Sequence, residues 1–160
     1  MSRFLLDTNV ISEALKPNRD SSVSEWFRQN NESLMFLSVL TLGEIRKGTA
    51  KLSPGPKRTS LEQWLSKDLP LRFQGRILPI SEDVADRWGI LQANARQLGR
   101  TLPVIDSLLM ATALQHDLVL VTRNVKDIFP AIPHFNLATR PVTRKTGRIG
   151  RFLRESLKVS

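Results

Sequence analysis

The sequence FLLDTNVISEAL, residues 4–15, contains the pattern that decides the fold. A short apolar run is followed by Asp7-Thr8-Asn9, and then by a helical pattern over residues 10–15. The apolar run predicts a buried strand, which places Asp7 at its C-terminal end. Acids at the ends of neighbouring core elements can converge on one hard cation, because Mg²⁺ and Mn²⁺ prefer all-oxygen sites.

Three further segments repeat this combination of an acid or amide with an apolar run. They are TLGEIRKG (41–48), VIDSLLMATA (104–113) and LVTRNVKDIF (120–129). With the first segment, they supply four candidate site residues: Asp7, Glu44, Asp106 and Asn124.

The rest of the chain alternates between strand and helix patterns. Strands are predicted at residues 4–6, 34–37, 77–80, 118–121 and 134–137. Helices are predicted at residues 10–15, 23–29 (capped by Ser22), 40–52, 59–69 (stopped by Pro70), 83–98 (capped by Ser81 and closed by Gly99) and 104–116. Apolar strands separated by helices predict an α/β fold with a central parallel sheet flanked by helices on both faces. Ligands of such sheets bind outside the carboxyl ends of the strands, where Asp7 and Thr122 fall.

Composition excludes several classes of protein. With 160 residues and 41% apolar residues, the chain fits a single globular domain. It contains no cysteine, which excludes disulfides and thiolate zinc sites and favours a reducing cytoplasm. The first apolar run is too short for a signal peptide, and no apolar run is long enough to span a membrane, so no membrane association is expected.

The charge is concentrated at the C-terminus. The whole chain carries +9, which indicates a polyanionic partner. Residues 140–160 contain seven basic residues and one acid, a net charge of +6, which leaves +3 for residues 1–139. We therefore predict one domain over residues 1–139 and a basic C-terminal extension over residues 140–160. Within the extension, apolar residues recur at helical spacing, which is compatible with an amphipathic helix or with an unstructured basic segment.

Each candidate acid also has a purely structural interpretation. Asp7 could cap the first helix, and Asp106 could stabilise the start of its own helix through the helix dipole. Glu44 follows Thr41 at the spacing of a capping box. The helix that begins near Asp106 is rich in apolar and small residues, however, so it should be buried, and a buried carboxylate needs a partner such as a cation.

The four segments together resemble PIN-domain nucleases, specifically VapC-type toxins of the branch that includes FitB. The resemblance rests on LLDTNVISE, LTLGEIRKG, ILPISEDVADRW and IDSLLMATALQHDLVLVTRNVKDI, in this order over about residues 3–138. It implies a PIN-like single domain and a Mg²⁺- or Mn²⁺-dependent endoribonuclease that is the toxin of a type II toxin–antitoxin pair. It also implies a homodimer, an RNA substrate and a cognate antitoxin protein, with DNA bound only through that antitoxin.

The resemblance matches the family's acidic cluster to Asp7, Glu44 and Asp106. It implies that these three and Asn124 are the catalytic residues, with Asp7 and Asp106 as the metal ligands. At the fourth position, which usually carries an acid, this chain has Asn124, whose amide offers an oxygen without charge. Asp127 could substitute for it or could face solvent. Thr8, Asn9 and Thr122 are predicted to hydrogen-bond the ligating acids. The cations Arg46, Lys47 and Arg123 could contact RNA phosphates or could lie on solvated faces.

Two alternatives follow from the same residues. A non-cleaving PIN module that binds nucleic acid or a partner in a regulatory complex on DNA is compatible with Asn124. A metal-free ribonuclease with two catalytic histidines is disfavoured, because His116 and His134 have no matching acid–base partner in the sequence.

Overall fold

The computed structural model describes residues 1–130 and 132–136, and its centre is a five-stranded sheet in the order β3-β2-β1-β4-β5. The strands are β1 (Phe4–Leu6), β2 (Met35–Ser38), β3 (Ile77–Leu78), β4 (Val119–Thr122) and β5 (His134–Asn136). All four strand pairs are parallel. The predicted parallel sheet is therefore confirmed, with strand ends shifted by one or two residues.

Helices connect the strands and cover both faces of the sheet. They are α1 (Thr8–Leu15), α2 (Ser21–Gln29), α3 (Val39–Ala50), α4 (Pro56–Gln63), α5 (Leu69–Arg72), α6 (Glu82–Gln97) and α7 (Val104–Gln115). Successive strand residues point to opposite faces, so Leu6 packs with α1 and α2, whereas Leu5 packs with α6 and α7. Two apolar cores result, one on each side of the sheet, as the sequence predicts.

The order of the strands places a crevice between β1 and β4. The chain passes from β1 to β2 on one side of the sheet and later reaches β4 on the other side. At such a topological switch point the connections leave the sheet in opposite directions, which opens a binding crevice at the carboxyl ends of the two strands. In the register of the pair, Leu6 lies opposite Val121, so Asp7 and Thr122 both lie at that edge.

Two local predictions are wrong. Helix α2 is capped by Asp20 rather than Ser22, because the Asp20 carboxylate accepts a hydrogen bond of 2.8 Å from the Ser22 amide. Pro70 does not end the helical stretch, which runs from α4 through a widened turn at Trp64–Asp68 into α5. In that turn the Leu69 amide donates to the Trp64 carbonyl, five residues back, and Pro70 falls in the first turn of α5, where the missing N–H costs little.

Two other expectations concern the ends of the chain and the membrane. The predicted C-terminal extension, with its amphipathic pattern, lies outside the described residues. In the part of the chain that the structure describes, no helix is long and apolar enough to cross a membrane.

Candidate active site

A cavity of about 390 Å³ opens at the carboxyl ends of β1 and β4. Its lining includes all four predicted residues and one more acid: Asp7, Glu44, Asp106, Asn124 and Asp127. They come from the ends of β1 and β4 and from helices α3 and α7. The fold therefore brings together side chains that are up to 120 positions apart in the chain.

Asp7 is held by two side chains at the switch point. Its Oδ2 atom accepts hydrogen bonds of 2.8 Å from the Thr122 hydroxyl and 3.0 Å from the Asn9 side-chain amide. Asp7 stands at the N-cap position of α1, but these bonds of Oδ2 run to side chains and not to the helix amides. Against the effect of burial, the backbone amides of Thr8 and Asn9 lower the pKa of this carboxyl, but by less than the Thr122 hydroxyl does, so its bonds to side chains are not explained by capping alone.

Thr122 has a single hydroxyl proton, and the geometry shows where it goes. The hydroxyl oxygen lies 3.1 Å from the Asn9 side-chain nitrogen and 3.0 Å from the Asn124 amide nitrogen, both of which are donors. It can therefore accept from both and give its own proton to Asp7. The prediction that Thr122 and Asn9 bond the acid after β1 agrees with this geometry.

Glu44 is fixed by the residue next to Asp7. Its Oε1 atom accepts a hydrogen bond of 2.6 Å from the Thr8 hydroxyl, which ties α3 to the start of α1. The capping-box interpretation of Glu44 is wrong. Helix α3 begins at Val39 and is capped by Ser38, whose hydroxyl accepts from the Leu40 amide at 3.1 Å, so Glu44 lies beyond the first turn.

The electrostatics of the cavity disfavour negative charge. Burial raises the pKa of Asp7, and the Glu44 charge acts in the same direction, while the hydrogen bond from Thr122 opposes both. Burial also raises the pKa of Asp106, and the charges of Asp7, Asp127 and Glu44 add to it in that order. A cation among these carboxylates would reduce the repulsion between them.

The donor set fits a hard divalent cation. All the acidic groups around the cavity are carboxylates, which supply the oxygen atoms that Mg²⁺ prefers. Among the described residues, no three carboxylate or imidazole groups converge closely enough to enclose an ion by themselves. Mg²⁺ usually takes one or two carboxylates and keeps several waters, so two carboxylates at this cavity would be enough to hold it.

The structure separates Asn124 from Asp127. The Asn124 side-chain oxygen accepts a hydrogen bond of 3.2 Å from the Lys126 amide, which closes a local turn after β4, and the residue is exposed. Asp127 is half-buried, lines the cavity and raises the pKa of Asp106 more than Glu44 does. Of the two residues, Asp127 therefore acts more directly on the carboxylate cluster.

The candidate RNA-binding cations differ in their surroundings. Arg123 forms ion pairs of 2.9 Å with Glu13 and 3.1 Å with Asp20, so its charge is already paired within the protein. Arg46 donates to the Ser66 hydroxyl at 2.8 Å, and Lys47 is exposed. No local pattern indicates the Arg123 contacts, since its partners lie more than 100 positions away.

The two histidines lie away from the cavity lining. His116 follows α7, and its carbonyl accepts a hydrogen bond of 2.7 Å from Arg3. The Nδ1 atom of His134 contacts the Ile132 carbonyl at 2.9 Å. This placement agrees with the argument from sequence against a two-histidine ribonuclease.

Comparison with known proteins gives matches over most of the chain. The family model described as "PIN domain" matches residues 4–133. Toxin FitB of Neisseria gonorrhoeae is 37% identical over 128 residues, which cover 80% of this chain and 92% of that protein. VapC ribonuclease Y4jK of Sinorhizobium fredii is 32% identical over 121 residues, covering 76% and 86% of the two chains. The solved structure of FitAB bound to the IR36 DNA fragment has a TM-score of 0.81 and 33% identity, over 88% of this chain and 99% of that chain.

Proposed function

Because the chain belongs to the PIN-domain family, we propose that it is a metal-dependent endoribonuclease and the toxin of a type II toxin–antitoxin pair. The observation that carries the proposal is the cavity at the switch point, which Asp7, Glu44, Asp106 and Asp127 line. Relatives named as a toxin and as a ribonuclease support the two parts of the proposal. The substrate would be the phosphodiester backbone of RNA. The activity would lie in the cytoplasm.

Asp7 and Asp106 would hold the metal ion, with water completing its coordination. When bound, Mg²⁺ or Mn²⁺ supplies Lewis acidity and lowers the pKa of coordinated water. Thr122 and Asn9 keep the Asp7 carboxylate in one orientation. Glu44, held by Thr8, stands at the same cavity and would orient the attacking water or accept its proton, or would share a second ion with Asp7.

Asp127 rather than Asn124 would complete the acidic cluster. Both residues line the cavity, but the Asn124 side-chain oxygen is engaged in the turn after β4, whereas the Asp127 charge acts on Asp106. A carboxylate at this place would attract the cation more strongly than an amide could. The non-cleaving alternative was compatible with a missing fourth acid, so an acid at Asp127 weakens its main support.

The test combines cleavage in vitro with mapping of RNA ends after a brief pulse of expression. Asp7→Asn and Asp106→Asn should abolish metal-dependent cleavage and remove the new RNA ends, because each deletes a charge that binds the ion. The matched control Asp86→Asn, an exposed acid on α6, should cleave as the wild type does. Cleavage by Asp7→Asn at the wild-type rate would contradict the mechanism, and a wild-type protein that binds RNA without cutting it would favour the non-cleaving module.

The proposed partners follow from the family and from its solved complexes. We propose that a cognate antitoxin protein blocks the cavity, and that the protein reaches DNA only through that antitoxin, as the FitAB–DNA structure suggests by analogy. We also propose a homodimer. Val39 and Val104 are exposed apolar side chains at the starts of α3 and α7, and burial in a subunit interface would stabilise them.

A further inference from the structure

Arg123, which follows β4, forms ion pairs with two carboxylates, one within α1 and one at the start of α2. Its Nη1 atom lies 2.9 Å from Glu13, in α1, and its Nη2 atom lies 3.1 Å from Asp20, the cap of α2. Glu13 is only 6% exposed and also accepts hydrogen bonds from Lys16 and from the Asp20 amide. A carboxylate this deeply buried needs its cations, because removing one partner leaves an uncompensated charge.

The same residue contacts the active site through its backbone. The Arg123 amide donates a hydrogen bond of 3.1 Å to the side-chain oxygen of Asn9. This bond fixes which end of the Asn9 amide faces β4, so its NH₂ group must face Asp7 and Thr122. A continuous path of hydrogen bonds and ion pairs therefore runs from Glu13 to the Asp7 carboxylate.

The Arg123 amide lies beyond the last residue of β4, where the regular hydrogen bonds of the sheet end. The turn is held by the bonds from the Asn124 and Lys126 amides and, in addition, by the ion pairs of the Arg123 side chain. We propose that Arg123 is a positioning residue. Its ion pairs with Glu13 and Asp20 lock the turn after β4, so that Asn9 orients Asp7 for metal binding. The inference rests on the proposed metal-dependent function, and it assigns to Arg123 a role other than contact with RNA.

The charges around Glu13 agree with a fixed ion pair. Burial acts to raise the pKa of Glu13, but hydrogen bonds from Lys16 and the Asp20 amide, together with the Arg123 charge, lower it by more. The carboxylate is thus ionised and available to hold Arg123. Lysine could not replace Arg123 fully, since its single ammonium group lacks the fork that reaches two carboxylates at once.

The experiment measures Mn²⁺ affinity by electron paramagnetic resonance, and thermal stability by calorimetry, on the full chain. Arg123→Met and Glu13→Gln should each weaken Mn²⁺ binding about 10-fold, the lower range for residues that orient metal ligands. Arg123→Lys should recover part of that loss. The double variant should bind Mn²⁺ no more weakly than Arg123→Met alone, because both substitutions break the same path.

Arg72→Met is the matched control. Arg72 is paired with Glu32 at 2.6 Å and is about as exposed as Arg123, but its ion pair lies outside the cavity lining. It should lower the melting temperature and leave Mn²⁺ affinity unchanged. If Arg123→Met and Glu13→Gln keep wild-type Mn²⁺ affinity, or if Arg72→Met weakens it equally, the positioning role is refuted. Asp7→Asn separates the two proposals. If the Asp7→Asn variant also retains wild-type Mn²⁺ affinity, the metal site itself is refuted. If Asp7→Asn loses Mn²⁺ binding while Arg123→Met binds Mn²⁺ as the wild type does, only the positioning role is refuted.

Discussion

Replacement of Thr122 by valine removes one hydroxyl from the centre of the site and keeps the branched shape of the side chain. Thr122 is fully buried, and its hydroxyl donates to the Asp7 carboxylate at 2.8 Å. The same oxygen accepts from the Asn9 side chain and from the Asn124 amide. The substitution therefore tests three contacts at once without opening a large cavity.

The expected loss of stability can be built from those contacts. A hydrogen bond to a charged group contributes about 1.5–3 kcal/mol, and a buried donor left without an acceptor costs about 1–3 kcal/mol. Asn9 keeps its bond to Asp7, and Asn124 is an exposed residue whose amide can bond to water, so the second cost lies at the low end of its range, about 1 kcal/mol. We expect Thr122→Val to lower the free energy of unfolding by about 3 kcal/mol, which for a domain of this size lowers the melting temperature by about 10 °C.

The effect should depend on pH in a direction that the Thr122 bond determines. The bond stabilises the ionised form of Asp7 and so lowers the pKa of that carboxyl against the effect of burial. Its contribution is present above the pKa of Asp7 and is lost as the pH falls through it. The difference in the free energy of unfolding between the wild type and Thr122→Val should therefore become smaller at acidic pH. The pH at which the variant begins to bind Mn²⁺ should be higher than that of the wild type.

Thr112→Val is the matched control for this prediction. Thr112 is as fully buried as Thr122, but its hydroxyl donates to the Leu108 carbonyl within α7 at 2.7 Å. The control should lose about 1 kcal/mol and retain Mn²⁺ affinity. Calorimetry across a pH series and electron paramagnetic resonance measure the two quantities. Equal losses of stability in both variants, together with wild-type Mn²⁺ affinity in Thr122→Val, would refute the reasoning.

Three further predictions address the other parts of the site and the C-terminal extension. Burial and neighbouring charges raise the pKa of Asp106, so the metal-free protein should lose stability as the pH rises through that raised value. The Asp106→Asn variant should show a weaker dependence of stability on pH and a higher melting temperature at neutral pH, both measured by calorimetry. Asp127→Asn should increase the Mg²⁺ concentration for half-maximal cleavage by more than Asn124→Asp decreases it, and the reverse order would return the fourth position to Asn124. Truncation after residue 137 should reduce the salt slope of RNA binding by up to about 5 and leave metal-dependent cleavage of a short RNA largely intact; an unchanged slope would exclude the extension from RNA capture.

The parts of the fold that the sequence predicts are those set by local pattern. The apolar runs of β1 and β4 and the acids that follow β1 or begin α7 are visible without any long-range contact. The prediction that a helix ends at Pro70 was wrong because a widened turn precedes the proline. That turn begins at Trp64, which is fully buried, and the burial of Trp64 is not visible in the local sequence pattern. Asn124 was predicted as the fourth site residue because of its position in the sequence. The preference for Asp127 proposed above depends on the hydrogen bond that the Asn124 side chain accepts in the turn after β4.

The site itself depends on pairings that no local pattern could reveal. Asp7, Thr8 and Asn9 are adjacent, yet they bond to three different parts of the chain: Asp7 to the end of β4, Thr8 to α3, and Asn9 to the turn after β4. The separations range from 36 to 115 residues. The bonds of Asp7 and Asn9 require β4 beside β1, and the bond of Thr8 requires α3, which follows β2 on the other side of β1. The carboxylates therefore line one cavity only when the sheet has formed. A bound cation, as proposed above, would reduce the repulsion among them, which predicts that metal binding and stability of this protein are linked.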